Sequence, residues 1–182
     1  MAILENGSRM LPIHLKNSSI RNGLVTTRGD EMELKRQADR LIRKYGTRNP
    51  FKIAKELGYI VLHVPLTGIR GFHQYVKRCH IIYIDSALSG RDATFVCAHE
   101  LGHALLHKNC NRIFMDTHTY LITNRYEMDA DRFAVNLLFG DDELYDFLPH
   151  PIQVAADCMG VSVCLAEYRL GLITENSRVS DM

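Results

Sequence analysis

The sequence has few of the features that mark membrane, secreted or nucleic-acid-binding proteins. No apolar run approaches the roughly 20 residues that a membrane-spanning helix requires, and the N-terminus lacks the apolar centre of a secretory signal peptide. The formal net charge is only +1, which argues against binding nucleic acid by bulk electrostatics. We therefore expect a cytoplasmic protein that contacts no membrane and does not bind nucleic acid directly.

The number and spacing of the cysteines do not favour a fold cross-linked by disulfides. The chain has five, an odd number, and no two of them form a Cys-x-x-Cys pair. Neither a disulfide framework nor a cysteine-based zinc site is therefore expected. Cys97 stands two residues before a histidine, but residues two apart do not share a helix face, so it is not a predicted ligand.

Helical and strand patterns alternate along the chain and predict an α+β protein. A helical pattern from Glu31 ends at Gly46, and Asn49-Pro50 opens a short second helix. Three apolar, β-branched runs follow at residues 59–64, 71–76 and 80–85. We predict a small, mainly antiparallel three-stranded sheet packed on helices. An open edge of this sheet would suit binding of an extended peptide.

The same patterns suggest an order of units along the chain. We predict a flexible N-terminal leader (1–30), a main domain (31–140), a C-terminal helical subdomain (141–174) and a tail (175–182). Residues 153–162 are typical of the first helix and turn of a helix-turn-helix. The next helix offers only Arg169 as a base-reading cation, so DNA contact is not favoured over packing or protein docking.

The central feature is His99-Glu100-Leu101-Gly102-His103, a His-Glu-x-x-His motif. In a chain with nine histidines such a match is expected by chance only about 0.02 times. On a helix the two imidazoles leave one face a turn apart and can share a metal ion. Ser89 and Asp92 predict a capping box that starts this helix near Gly90. We expect Zn²⁺, with Mn²⁺ as a substitute.

A third ligand must come from another helix, because catalytic zinc usually has three protein ligands and one open position. Glu127 heads an apolar stripe in the helix that follows, and we favour it as that ligand. Asp131, one turn later, is placed to accept the free N–H of a liganding histidine. Two alternatives stay open: Glu127 closes a capping box with Asn124, or Asp129 is the ligand if the helix begins later.

Charge assigns the remaining roles. In hydrolysis of a peptide bond, the reaction for which zinc peptidases use this motif, Glu100 would accept a proton from the water that attacks the carbonyl and pass it to the amine that leaves. His107 lies one turn beyond the motif and is a surface or supporting residue rather than a fourth ligand. The developing oxyanion needs one more donor, and the sequence does not choose among Tyr83, His80, His118, Tyr120 and Tyr126.

At residues 95–107 and 127–134, and in its order of helices and strands, the chain resembles the ImmA/IrrE family of zinc metallopeptidases. The resemblance implies a zincin-like fold, with His99, His103 and Glu127 as ligands and Glu100 as the catalytic residue. It further implies a bacterial, phage or mobile-element protease that cuts a helix-turn-helix repressor and so derepresses genes. Asp129 stands where many members carry a second Glu. The rival hypotheses are a non-cleaving anti-repressor with the same fold and a DNA-contacting regulator.

Overall fold

The computed structural model describes the backbone of residues 28–107 and 120–180, and the side chains of residues 29–107 and 124–173. The predicted leader up to residue 27, Cys110, His118 and the last two residues lie outside these ranges. The helices are α1 (Arg28–Tyr45), α2 (Pro50–Glu56), α3 (Gly90–Leu106), α4 (Tyr120–Leu138), α5 (Asp141–Leu144), α6 (Ile152–Met159) and α7 (Val163–Ser180). The strands are β1 (Ile60–Val64), β2 (Gly71–Val76) and β3 (Cys79–Asp85).

The junction between α1 and α2 follows the predicted signals. Gly46 adopts a φ of +64°, a left-handed conformation that ends α1 at little cost for glycine. The Asn49 side chain then accepts the N–H groups of Phe51 and Lys52, at 3.0 and 3.2 Å. Pro50 occupies the first turn, where no N–H is needed. Two helices therefore start and stop for local reasons.

The three strands are confirmed, but the sheet is mixed rather than mainly antiparallel. The strand order is β1-β3-β2, with β2 antiparallel to β3 and β1 parallel to it. The β2–β3 hairpin turns at Lys77 and Arg78, both with positive φ, as in a type I′ turn. β3 takes the centre because it carries Ile82 and Ile84, both fully buried. β1 pairs with the side of β3 that β2 does not occupy, and it runs parallel to β3.

The helices α3 and α4 pack face to face and form the centre of the fold. Gly102 lies at the contact, where an added Cβ would stand 3.0 Å from Phe133 Cδ1 and 3.2 Å from Ala130 Cα. That is closer than ordinary van der Waals contact, so only glycine lets the two backbones come this near. The small, fully buried Ala130 and Ala134 of α4 serve the same purpose.

The predicted start of α3 at Gly90 is confirmed, but the two capping boxes considered from the sequence do not form. Ser89 does precede α3, but its side chain makes no capping bond, and Asp92 instead pairs with Arg70 at 2.9 Å. The helix α4 begins at Tyr120, so Asn124 lies inside it and cannot be its N-cap. Glu127 therefore stands in the body of a helix and does not close a capping box.

The C-terminal helices share the main hydrophobic core. Ala156, Leu170 and Ile173 belong to the same buried cluster as Phe133 of α4. Arg169, the predicted base-reading cation, is 1% exposed and donates to the Phe139 carbonyl at 2.8 Å and to the Asp141 carboxylate. It is thus unavailable to a DNA base. None of the described helices has the length and apolarity needed to cross a bilayer.

Candidate metal centre

Two helices supply the side chains of the centre. His99 and His103 stand one turn apart on α3, with ring centroids 4.7 Å apart and planes nearly perpendicular. Glu127 reaches them from α4, which the contact at Gly102 holds close to α3. The site is therefore built by helix packing, and each helix contributes residues at helical spacing.

Potential ligand atoms of three side chains converge. His99 Nε2 and His103 Nε2 are 3.0 Å apart. The Glu127 carboxylate lies 3.3 Å from His99 Nε2 through Oε2 and 3.4 Å from His103 Nε2 through Oε1. Within the described residues these three form the one group of His, Cys, Asp and Glu side chains close enough to hold a metal ion.

These separations fit a tetrahedral ion. Atoms about 2.0–2.1 Å from a tetrahedral zinc lie roughly 3.3–3.4 Å apart, close to the 3.0, 3.3 and 3.4 Å observed. Two imidazoles and a carboxylate are also the donor set of a common class of catalytic zinc sites. The residues present therefore fit a divalent metal with one position left open.

Asp131 fixes the orientation of the first imidazole. Its Oδ1 lies 2.8 Å from His99 Nδ1, so Nδ1–H donates to the carboxylate and the Nε2 lone pair faces the cluster. Burial lowers the pKa of His99, but hydrogen bonds to Asp131 and Glu127 outweigh it and raise the pKa to about 10. The surrounding carboxylates thus favour a positive charge at this point, which a metal ion would supply.

Glu100 is enclosed between α3 and β2. It is 2% exposed, and an added Cβ on Gly71 of β2 would stand 3.5 Å from its Cγ and 2.5 Å from Val96 Cγ1. Glycine at position 71 therefore lets the strand lie directly on the helix beside Glu100.

Three residues considered from the sequence lie outside the cluster. Asp129, the reserve ligand, is 9% exposed, and its carboxylate lies 3.9 Å from the Arg125 guanidinium. His107 packs on the Tyr126 ring at 4.2 Å. Cys97 is fully buried in the hydrophobic core and is not among the side chains that converge.

The oxyanion candidates separate by their positions in the fold. Tyr83 alternates with Ile82 and Ile84, so it faces away from α3, and it stacks on Phe72 at 4.4 Å. The side chains of His118 and Tyr120 lie outside the described residues, and Tyr126 is engaged with His107.

His80 remains, and beside it lies His73 of β2, which the sequence pattern does not single out. His73 Nε2 lies 2.8 Å from His80 Nδ1. Burial and then the nearby charges of His80 and His103 lower the pKa of His73 to about 4. The signal was present in the alternation of β2, because position 73 shares a face with Gly71, but it became meaningful only once Gly71 was found against α3.

Comparison with known proteins gives consistent results. Residues 64–171, more than half of the chain, match the family Peptidase M78, the IrrE N-terminal-like domain. The chain is 42% identical over 118 residues to immunity region protein 2 of Bacillus phage phi105, covering 64% of this chain and 75% of that protein. It is 29% identical over 119 residues to metallopeptidase ImmA of Bacillus subtilis strain 168, covering 64% and 69%.

A solved structure, a Mycobacterium tuberculosis transcriptional regulator, matches with a TM-score of 0.52 at 16% identity. The match covers 76% of this chain and 46% of that one, so the present chain spans less than half of the regulator. At this identity the likeness bears on the fold alone. It agrees with an α+β arrangement of helices around a small sheet.

Proposed function

Because the chain belongs to the IrrE N-terminal-like family, the ImmA/IrrE metallopeptidases, we propose that it is a metal-dependent endopeptidase that cleaves a helix-turn-helix repressor and so derepresses genes. The observation that carries the proposal is the convergence of His99, His103 and Glu127 at 3.0–3.4 Å. Similarity to a metallopeptidase and to a phage immunity region protein supports a role in the control of phage or mobile-element genes.

The proposed ligands are His99, His103 and Glu127, holding zinc or, as a substitute, manganese. When bound, such an ion supplies Lewis acidity, which polarises the scissile carbonyl and makes water acidic enough to lose a proton near neutral pH. Asp131 keeps the hydrogen of His99 on Nδ1 and so keeps its Nε2 available as a ligand atom. Three protein ligands would leave one position of such an ion for water or the substrate carbonyl.

Glu100 is the proposed general base and acid. It lies one residue after His99 on the same helix, about 100° around the axis, and its side chain is buried beside Gly71 of β2. It accepts a proton from the attacking water as the carbon–oxygen bond forms. It then delivers that proton to the amine as the carbon–nitrogen bond breaks, which leaves a carboxylate and an amine as products.

The strand β2 is the proposed site for the substrate backbone. It is an edge of the described sheet, paired with β3 on one side only, and Gly71 brings it against Glu100. An extended segment that added to this edge would pass beside the general base. A repressor would therefore need to present an extended or locally unfolded segment at its cleavage point.

The decisive experiment mixes the purified, zinc- or manganese-loaded protein with the repressor encoded beside its gene. Fragments are identified by mass spectrometry, with Glu100→Gln as the test variant and Glu143→Gln, at an exposed position, as the matched control. We expect cleavage by the wild type and by the control, and loss in Glu100→Gln. Derepression without fragments, equal in all three proteins, would instead identify a non-cleaving anti-repressor.

A further inference from the structure

The inner face of β2 extends the candidate site beyond Glu100. Gly71, His73 and Tyr75 share that face, since side chains alternate along a strand. An added Cβ on Gly71 would stand 3.5 Å from Glu100 Cγ, which fixes the strand above the proposed general base. His73 follows two residues later, about 6.7 Å along the strand. Its partner across the ladder is the fully buried Ile82 of β3, so the His73 side chain lies on the face of the sheet that packs against α3.

The ring of His73 is held on one side by His80. The two rings are stacked, with centroids 5.1 Å apart and an angle of 18° between planes, and His73 Nε2 lies 2.8 Å from His80 Nδ1. His80 in turn packs between Tyr59 at 4.4 Å and Tyr75 at 4.5 Å. This packing restrains the His73–His80 pair. The nitrogen of His73 that makes no hydrogen bond to His80 is Nδ1.

The centre is rich in hydrogen-bond acceptors. Glu100, Glu127 and Asp131 are carboxylates, so a divalent ion would leave about one net negative charge among them. A negative field favours a ring tautomer that carries its hydrogen on the nitrogen facing the field. Peptide hydrolysis also requires a donor for the oxyanion that develops on the scissile carbonyl.

We propose that His73 is a further catalytic residue, which donates a hydrogen bond from Nδ1 to the oxygen of the scissile carbonyl. His80 is its positioning residue, and donates from its own Nδ1 to Nε2 of His73. This role rests on the proposed peptidase function and answers which residue stabilises the oxyanion. No proton is transferred in this interaction, since both imidazoles act as neutral hydrogen-bonding groups.

The first test needs no substrate. Long-range ¹⁵N–¹H correlation spectra of the zinc-loaded protein at pH 7 report which ring nitrogen of each histidine carries the hydrogen, with His73→Phe and His80→Phe used for assignment. We expect the hydrogen on Nδ1 in both His73 and His80. A hydrogen on Nε2 of His73 would overturn the proposal, because that nitrogen would then donate to His80 and Nδ1 could only accept.

The second test measures kcat and KM for cleavage of the repressor encoded beside the gene. His73→Phe keeps a stacked ring without nitrogen, and should lower kcat about 100-fold with KM changed less than about threefold. His73→Gln, which restores an N–H donor, should recover part of the loss, whereas a merely structural role would give no such rescue. The matched control is His63→Phe, on the other edge strand, where the histidine is exposed and stacks on Phe51.

Zinc content and the unfolding midpoint are recorded for every variant. The proposal fails if His73→Phe keeps kcat within threefold of wild type, or if it loses zinc in proportion to activity. Failure of the peptidase function looks different: the wild type and Glu100→Gln would then be equally inactive. In that case the catalytic role of His73 is also wrong, while the spectra still show which ring nitrogen of His73 and of His80 carries the hydrogen.

Discussion

Replacing Asp131 by Asn tests whether this carboxylate tunes a metal ligand. Its Oδ1 lies 2.8 Å from His99 Nδ1; the His99 side chain is 14% exposed and that of Asp131 39%, so water reaches the carboxylate and partly screens the bond. The Asn amide can still accept the N–H, but a hydrogen bond to a charged acceptor is about twice as strong as a neutral one. Loss of such a partner typically weakens metal binding about 10–100-fold, or about 1.4–2.8 kcal/mol.

The assay is competition for zinc against a chromophoric chelator at pH 7.5, which gives a Kd for each variant. Asp129→Asn is the matched control, because it removes one negative charge from the same helix at a carboxylate that contacts Arg125 rather than a histidine. We expect Asp129→Asn to stay within about threefold of wild type. The reasoning is refuted if Asp131→Asn also stays there, or if the two variants weaken binding equally.

Three further predictions concern stability. The pKa of His99 is raised to about 10, so protonation of His99 stabilises the metal-free fold fully below about pH 6.5 and progressively less as the pH rises towards 10. The unfolding midpoint of the metal-free protein should fall over that window, and it should not fall in His99→Gln. Gly102→Val should separate α3 from α4, cost about 1–3 kcal/mol in chemical denaturation and weaken zinc binding, whereas Gly171→Val, at a position with open space around it, should bind zinc as wild type does. Arg169→Leu should cost about 1–3 kcal/mol in the same measurement, since it removes the donor to the Phe139 carbonyl and one of the two cations of Asp141, which keeps Lys35 at 3.2 Å; an unchanged denaturation midpoint would contradict the role assigned to Arg169.

The local part of the site is readable from sequence. A spacing of four residues on a helix brings two imidazoles together whatever the rest of the chain does, and the apolar stripe on α4 singles out Glu127. The distance between the two helices is not readable in this way. It depends on Gly102 meeting Ala130 and Phe133, a contact between segments about thirty residues apart.

The sheet shows the same division between local and distant information. The hairpin of β2 and β3 follows from a short link, but the parallel pairing of β1 depends on β3 taking the centre. No pattern within a strand encodes that order. The position of His73 beside the site is not predictable for the same reason, because it depends on the packing of β2 against α3. The start of α4 at Tyr120 is not predictable either, because the polar residues before Arg125 have weak periodicity.

The helix α1 lies wholly outside the segment matched by the family, which begins at residue 64. It nevertheless braces α4: Glu31 pairs with Arg132 at 3.0 Å, and Asp30 with Arg125 at 3.6 Å. A fragment excised at the family boundary would retain every proposed ligand and yet leave one side of α4 bare. We therefore expect a working fragment to be larger than the matched segment, and domain swaps among relatives should include α1.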